Sequence, residues 1–228
     1  MDGAIIEFPS NGGTGSGYLA RADGGGPGVI VIQEWWGLVP HVIDLVDRFA
    51  AAGFTALAPD LYRGQSTTEP DEAGKLMMAL NLDQAAKDMS GAIDRLLADD
   101  AVTTAHVGVI GFCMGGGLAL RVACARPDVV SAVAPFYGLL PWPDSQPDWS
   151  RLTAAVRGHY AENDDFFNPA AVADLQATLD SLGKDAVLTV HPGTEHAFFN
   201  DSRPEVYDAA ASTEAWESTI AFLRDTLA

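Results

Sequence analysis

The sequence predicts an α/β fold, a mostly parallel central sheet flanked by helices. Three observations lead there. Short apolar runs alternate with segments of helical period almost from end to end, the pattern of parallel strands joined by crossover helices. A length of 228 residues suits one α/β domain spanning 1–228. The strongest apolar run, His106 to Phe112, leads through glycines directly into a helical segment.

The first elements are expected to differ from the rest. Ile5 to Phe8 and Gly17 to Arg21 read as short strands separated by a glycine-rich stretch suited to turns, which gives an N-terminal antiparallel hairpin or sheet edge. That stretch, "GGTGSG", is no dinucleotide fingerprint, because a strand-like run follows it where a helix would be needed. Further strands are expected over Gly28 to Gln33, Thr55 to Ala58, His106 to Phe112, Ser131 to Phe136, Ala154 to Tyr160 and Ala186 to His191.

Amphipathic helices fill the gaps: Val42, Leu45, Val46 and Phe49 share one face, as do Val172, Leu175 and Leu179, and then Trp216, Ile220, Leu223 and Leu227. Between Leu61 and Asp100 no strand is evident. Its second half predicts a helix with Ala86, Met89, Ile93 and Leu96 inward, and the polar, breaker-rich "RGQSTTEPDEAG" before it reads as a surface loop. No internal repeat or interdomain linker interrupts the pattern.

Composition removes several classes of function. With 13 basic against 31 acidic side chains, the formal charge is −18, so no nucleic-acid partner is expected. No stretch approaches the ~20 apolar residues of a membrane span, so no membrane partner is expected. The N-terminus lacks a basic and apolar leader, and the two cysteines, 113 and 124, suit neither a disulfide framework nor a zinc site. A cytoplasmic protein with no metal and no cofactor is the expectation; oligomeric state is not encoded visibly, and a monomer is compatible with the sequence.

The chemistry gathers around "GFCMGGG", residues 111 to 117. Strand, Gly-x-Cys-x-Gly, helix is the nucleophile-elbow pattern of the α/β-hydrolases with cysteine in place of serine. Side chains at Gly111 and Gly115 would collide with the neighbouring strand and helix, and the start of a helix favours a thiolate. A buried structural thiol in a glycine-rich turn is the competing reading, so partners decide. The hydrolase order is nucleophile, acid, histidine, each at a strand end. "AENDDFFNP" offers Asp164 and Asp165 after one strand, and "PGTEHAFFN" offers His196 after the next, with His191 as its rival. His196 would take the thiol proton and later activate water, and the aspartate would fix its tautomer.

Four motifs, "QEWWGL" at 33–38, "APDLY" at 58–62, "GFCMGGG" at 111–117 and "HPGTEHAFFN" at 191–200, resemble the dienelactone hydrolase family, cysteine hydrolases of the α/β-hydrolase fold. The resemblance spans nearly the whole chain. It implies a Cys113, Asp164 and His196 triad that opens a small-molecule ester or lactone through an acyl-enzyme, with Asp164 chosen by the match of "ENDDFF" to the family's Glu-x-Asp and aromatics. It also implies that Glu34 contacts the resting cysteine and keeps it protonated, as a neighbouring negative charge does. The backbone N–H groups of Trp35 and Met114 would form the oxyanion hole.

One departure bears on the substrate. Relatives acting on dienelactone hold its carboxylate with arginines, yet Asn200 stands four residues beyond His196, the nearest arginine there is Arg203, and region 61–100 offers only Arg63 and Arg95. A neutral ester or lactone is then as good a candidate substrate as dienelactone, and Trp35, Trp36, Tyr137, Phe198 and Phe199 would give such a pocket apolar walls. The alternative function is a non-catalytic ligand-binding or redox-sensing protein on the same fold.

Overall fold

The computed structural model describes residues 3–10, 12–140 and 145–228. Eight strands form one sheet: β1 (Ala4–Ser10), β2 (Gly13–Ala20), β3 (Gly26–Ile32), β4 (Thr55–Pro59), β5 (Val102–Phe112), β6 (Val130–Phe136), β7 (Ala155–Asn163) and β8 (Ala186–Glu195). Their order is β1-β2-β4-β3-β5-β6-β7-β8. The hairpin β1-β2 and the pair β2-β4 are antiparallel, and every pairing from β4 through β3 to β8 is parallel. The N-terminal antiparallel edge is therefore present, with one difference. Most of the glycine-rich stretch is strand, not turn, because Gly15 lies opposite Phe8 and a Cβ there would stand 2.7 Å from the Phe8 ring.

Helices α1 (Pro40–Ala51), α2 (Pro70–Ala79), α3 (Leu82–Leu97), α4 (Met114–Ala125), α5 (Pro169–Ser181) and α6 (Ala209–Leu227) cover the sheet. β3 is apolar throughout because both of its faces are buried. Ile30 and Ile32 pack with Met89 and Ile93 of α3 and Leu118 of α4, whereas Val29 and Val31 pack with Val42 and Phe49 of α1 and Leu223 of α6. Two core layers thus sandwich one sheet.

The expected inward faces are found, with small shifts. On α3 Ala85 is buried in place of Ala86, which is half-buried. The loop expected across "RGQSTTEPDEAG" is corrected: α2 begins inside it at Pro70. Proline preorganises the first helical turn, and Asp71 and Glu72 complement the helix dipole there. Only Ala73 of α2 is fully buried, so no apolar stripe announced it. Among the described residues no helix is long and apolar enough to cross a membrane.

Candidate active site

Strand register assembles the site. Ile32 of β3 pairs with Gly111 of β5, so Glu34 and Cys113, each two residues further on, leave the sheet side by side. Phe112 pairs with Phe136, which brings Tyr137 next to Cys113, and Asn163 pairs with Glu195, which brings Asp164 next to His196. All five side chains emerge at the carboxyl ends of parallel strands, where α/β sheets bind ligands.

Cys113 stands at the junction of β5 and α4 with φ 53° and ψ −122°, outside the regions ordinary residues favour. Its N–H donates to the Phe136 carbonyl at 3.0 Å, and its carbonyl accepts from the Gly116 N–H at 2.9 Å, which pins the turn. Space is as tight as the sequence suggests. A Cβ at Gly111 would lie 2.0 Å from the Gly115 carbonyl oxygen, and one at Gly115 would lie 2.5 Å from that of Ile32. Because α4 starts at Met114, the Met114 N–H belongs to the first-turn donors that helix bonding leaves free.

His196 is half-buried and lines the same cavity as Cys113. Its Nδ1–H donates to Asp164 Oδ2 at 2.8 Å, the only polarity an ionised carboxylate allows. Asp164 Oδ1 accepts the N–H groups of Phe166 at 2.8 Å and Phe167 at 2.9 Å, so both carboxylate oxygens are committed. Burial works against the Asp164 charge, but His196 and the two N–H groups outweigh it and hold the carboxyl below the ordinary carboxylate range. Burial likewise opposes an imidazolium, yet the hydrogen bonds and charges of Asp164 and Cys113 lift the His196 pKa to about 10. Asp165, its neighbour in sequence, is exposed.

His191 has a different setting. It is buried with its Nε2 3.1 Å from His159 Nδ1, and Thr219 Oγ1 lies 3.2 Å from the other nitrogen of His159. This is a core hydrogen-bond chain, which leaves His196 as the histidine beside Cys113.

Glu34 is 1 % exposed, a buried carboxylate with two partners. Tyr137 Oη donates to its Oε1 at 3.3 Å and Asn200 Nδ2 to its Oε2 at 2.9 Å. Asn200 therefore gives Glu34 a neutral donor at the position where an arginine would bring a cation. Burial, with the charges of Glu34 and Cys113, drives the Tyr137 pKa upward, so its hydroxyl stays a donor.

A cavity of about 350 Å³ opens over Cys113 and His196, lined also by Glu34, Trp35, Trp36 and Met114. Three of the expected walls are corrected. Tyr137, Phe198 and Phe199 are buried, because Phe199 stacks on Phe112 at 5.6 Å and Phe136 at 5.0 Å, and Phe198 packs on Tyr137 at 5.6 Å. They support the site from below; the Tyr137 ring meets the His196 ring edge-on at 5.2 Å. The remaining walls are Pro70, Met77, Phe166, Phe167, Ala197 and Arg203. Phe166 and Phe167 are the aromatics that follow Asp164 in the sequence; Met77 lies on α2, which carries no apolar stripe to mark it. Arg63 is bound to Asp88 and Arg95 to Asp99, away from this cavity. Among the described residues no group of three or more His, Cys, Asp and Glu is placed to hold a metal ion.

The two cysteines differ sharply. Cys124 is 3 % exposed, and burial, reinforced by the charge of Asp148, pushes its thiol up to about 11. Cys113 opens onto the cavity. Brief treatment with iodoacetamide at neutral pH is expected to label Cys113 ahead of Cys124 in a peptide map, since alkylation needs an accessible thiolate.

Comparison with known proteins gives a consistent picture. The model of the dienelactone hydrolase family matches residues 16–227. "Protein usf" of Aquifex pyrophilus is 38% identical over 232 residues, covering 99% of both chains. A protein of Aquifex aeolicus named "Putative carboxymethylenebutenolidase" is 35% identical over 231 residues, again with 99% of both chains covered. Among solved structures, a "Putative Dienelactone Hydrolase" from Klebsiella pneumoniae superposes with a TM-score of 0.87 at 26% identity, covering 98% of this chain and 99% of that one. The architecture is that of the α/β-hydrolases.

Proposed function

Because the chain belongs to the dienelactone hydrolase family, we propose that it is a hydrolase of small carboxylic esters or lactones, one domain over 1–228, working through a Cys113 acyl-enzyme. The observation that carries this reading is the Asp164–His196 hydrogen bond with His196 and Cys113 facing the same apolar cavity. His196, whose imidazolium the charges of Asp164 and Cys113 favour, holds the proton drawn from the thiol as Sγ attacks the substrate carbonyl. The negative charge that develops on the carbonyl oxygen is met by the N–H groups of Met114 and Trp35. His196 then gives its proton to the departing alcohol, leaving a thioester on Cys113. A water deprotonated by His196 attacks that thioester, and the thiol leaves with the proton returned.

Asp164 holds the imidazole with Nδ1–H outward from the reaction, so that Nε2 is the nitrogen that exchanges protons. Glu34 lines the same cavity as Cys113 with its carboxylate oxygens held by Tyr137 and Asn200, where the resemblance implied a contact with the cysteine, and we assign it a positioning role beside the nucleophile.

A panel of neutral aryl esters and lactones tests the reading by release of acid. Turnover of several is expected. No turnover with any, together with measurable binding of the same compounds, would instead favour the ligand-binding or redox-sensing alternative.

A further inference from the structure

The cleft over Cys113 has a neighbour of different chemistry. A second cavity of about 510 Å³ shares Trp36, Pro70 and Arg203 with it. Trp35, Met77, Phe166 and Phe167 make the first compartment apolar. The second is edged by polar groups, among them His41, Thr67, Ser202 and Glu205.

His41 is the informative residue. It is the second residue of α1, 7 % exposed, and its Nε2 has no hydrogen-bond partner. Its Nδ1 lies 3.5 Å from Asp201 Oδ1. A carboxylate there accepts, so the proton belongs on Nδ1 and Nε2 presents a lone pair. Burial, against the charges of Glu34 and Asp201, lowers the His41 pKa, which keeps the ring neutral. A buried acceptor of this kind calls for an N–H or O–H donor.

The other edges offer complementary groups. The Thr67 N–H is anchored on the Trp36 carbonyl at 3.0 Å, and its Oγ1 accepts from the Glu69 N–H at 3.0 Å, leaving the hydroxyl proton to donate. Arg203 Nε is engaged by Glu205 at 2.9 Å, so its charge is already countered. With Glu34, Asp201 and Glu205 close by, an anion would meet several carboxylates. A hydroxyl, donor and acceptor at once, meets matched partners.

We propose that this second cavity binds a neutral, hydroxyl-bearing alcohol portion of the substrate, while the apolar acyl portion lies over Cys113. The proposal rests on the hydrolase reading above. The leaving oxygen takes its proton from His196, and the chain beyond His196 runs through Asn200 and Ser202 to Arg203 along the second cavity, which puts the departing alcohol on that side.

The test compares propyl benzoate with 2,3-dihydroxypropyl benzoate, two esters with the same acyl group and similar length. For the full chain, kcat/KM is expected to be about tenfold higher for the diol, the effect of one or two neutral hydrogen bonds. In both His41→Leu and Thr67→Val the diol-to-propyl ratio is expected to fall towards one; a ratio within each variant does not depend on how much protein is folded. Equal kcat/KM for the two esters in the unaltered chain overturns the subsite alone, as does a ratio that neither variant changes. Faster hydrolysis of 2-carboxyethyl benzoate than of the diol also overturns it, in favour of an anion site. Failure to hydrolyse any of these esters, with no acyl group found on Cys113, overturns the hydrolase reading and this subsite with it.

Discussion

Cys113→Ala is expected to lower kcat/KM for a neutral aryl ester by about 10⁴- to 10⁶-fold, the range seen when the nucleophile of such a constellation is removed. The loss should be chemical and not structural. Cys113 already tolerates φ 53° with a Cβ in place, and alanine keeps that Cβ, so the turn gains no new clash. Thermal melting should therefore stay within about 1 kcal/mol of the parent. Activity that survives the substitution would remove Cys113 from the reaction altogether.

Asp164→Asn is expected to cost about 10²- to 10⁴-fold in kcat. The reason lies in how the carboxylate is held. Its Oδ1 receives the N–H groups of Phe166 and Phe167, so the asparagine carbonyl would settle there and turn its amide N–H₂ towards His196. The imidazole would then have to accept at Nδ1 and carry its proton on Nε2, where it cannot take one from the thiol. The substitution also changes how stability depends on pH. A His196 pKa raised to about 10 favours the folded state fully below its ordinary ~6.5, and that contribution is lost as pH rises through about 10. The Asp164 carboxyl, held low, adds stability above its unfolded value that is lost on acidification. The melting-temperature gap between parent and Asp164→Asn should be widest at about pH 5–6, shrink as pH rises from ~6.5 towards ~10, and level off above that. A constant gap over that range would mean that the two side chains do not share a proton-linked interaction.

What the sequence could reveal was set by how local the signal was. The parallel strands were legible because both faces of β3 and of the second half of β5, from Val107 to Phe112, are buried, so each appears as an apolar run. The elbow was legible because three neighbouring requirements, the glycines at 111 and 115 and the helix start after Cys113, fall within a few residues. Helix α2 was not, since it buries little beyond Ala73 and opens in a breaker-rich segment. With it went Met77 and Pro70 as walls of the cleft.

The aromatics of "HAFFN" show a different limit. Composition tells that Phe198 and Phe199 are apolar but not which way a turn will aim them. Ala197 adopts φ 67°, and the two rings enter the core beneath His196. The aromatic lining comes instead from Phe166 and Phe167, whose N–H groups are held by the same carboxylate that orients His196. Asn200 and Arg203 likewise acquire meaning only in three dimensions, one as a donor to Glu34 and the other as the shared rim of two cavities.

The covalent step is the centre of the account, and it can be observed directly. Mixing the protein with a slowly deacylating aryl ester, quenching in acid within seconds and mapping the digest by mass spectrometry should find the acyl group on the peptide containing Cys113. The adduct should be absent in Cys113→Ala and should persist longer in Asp164→Asn. Steady hydrolysis with no acyl group on Cys113, or with the group on another side chain, would contradict the account.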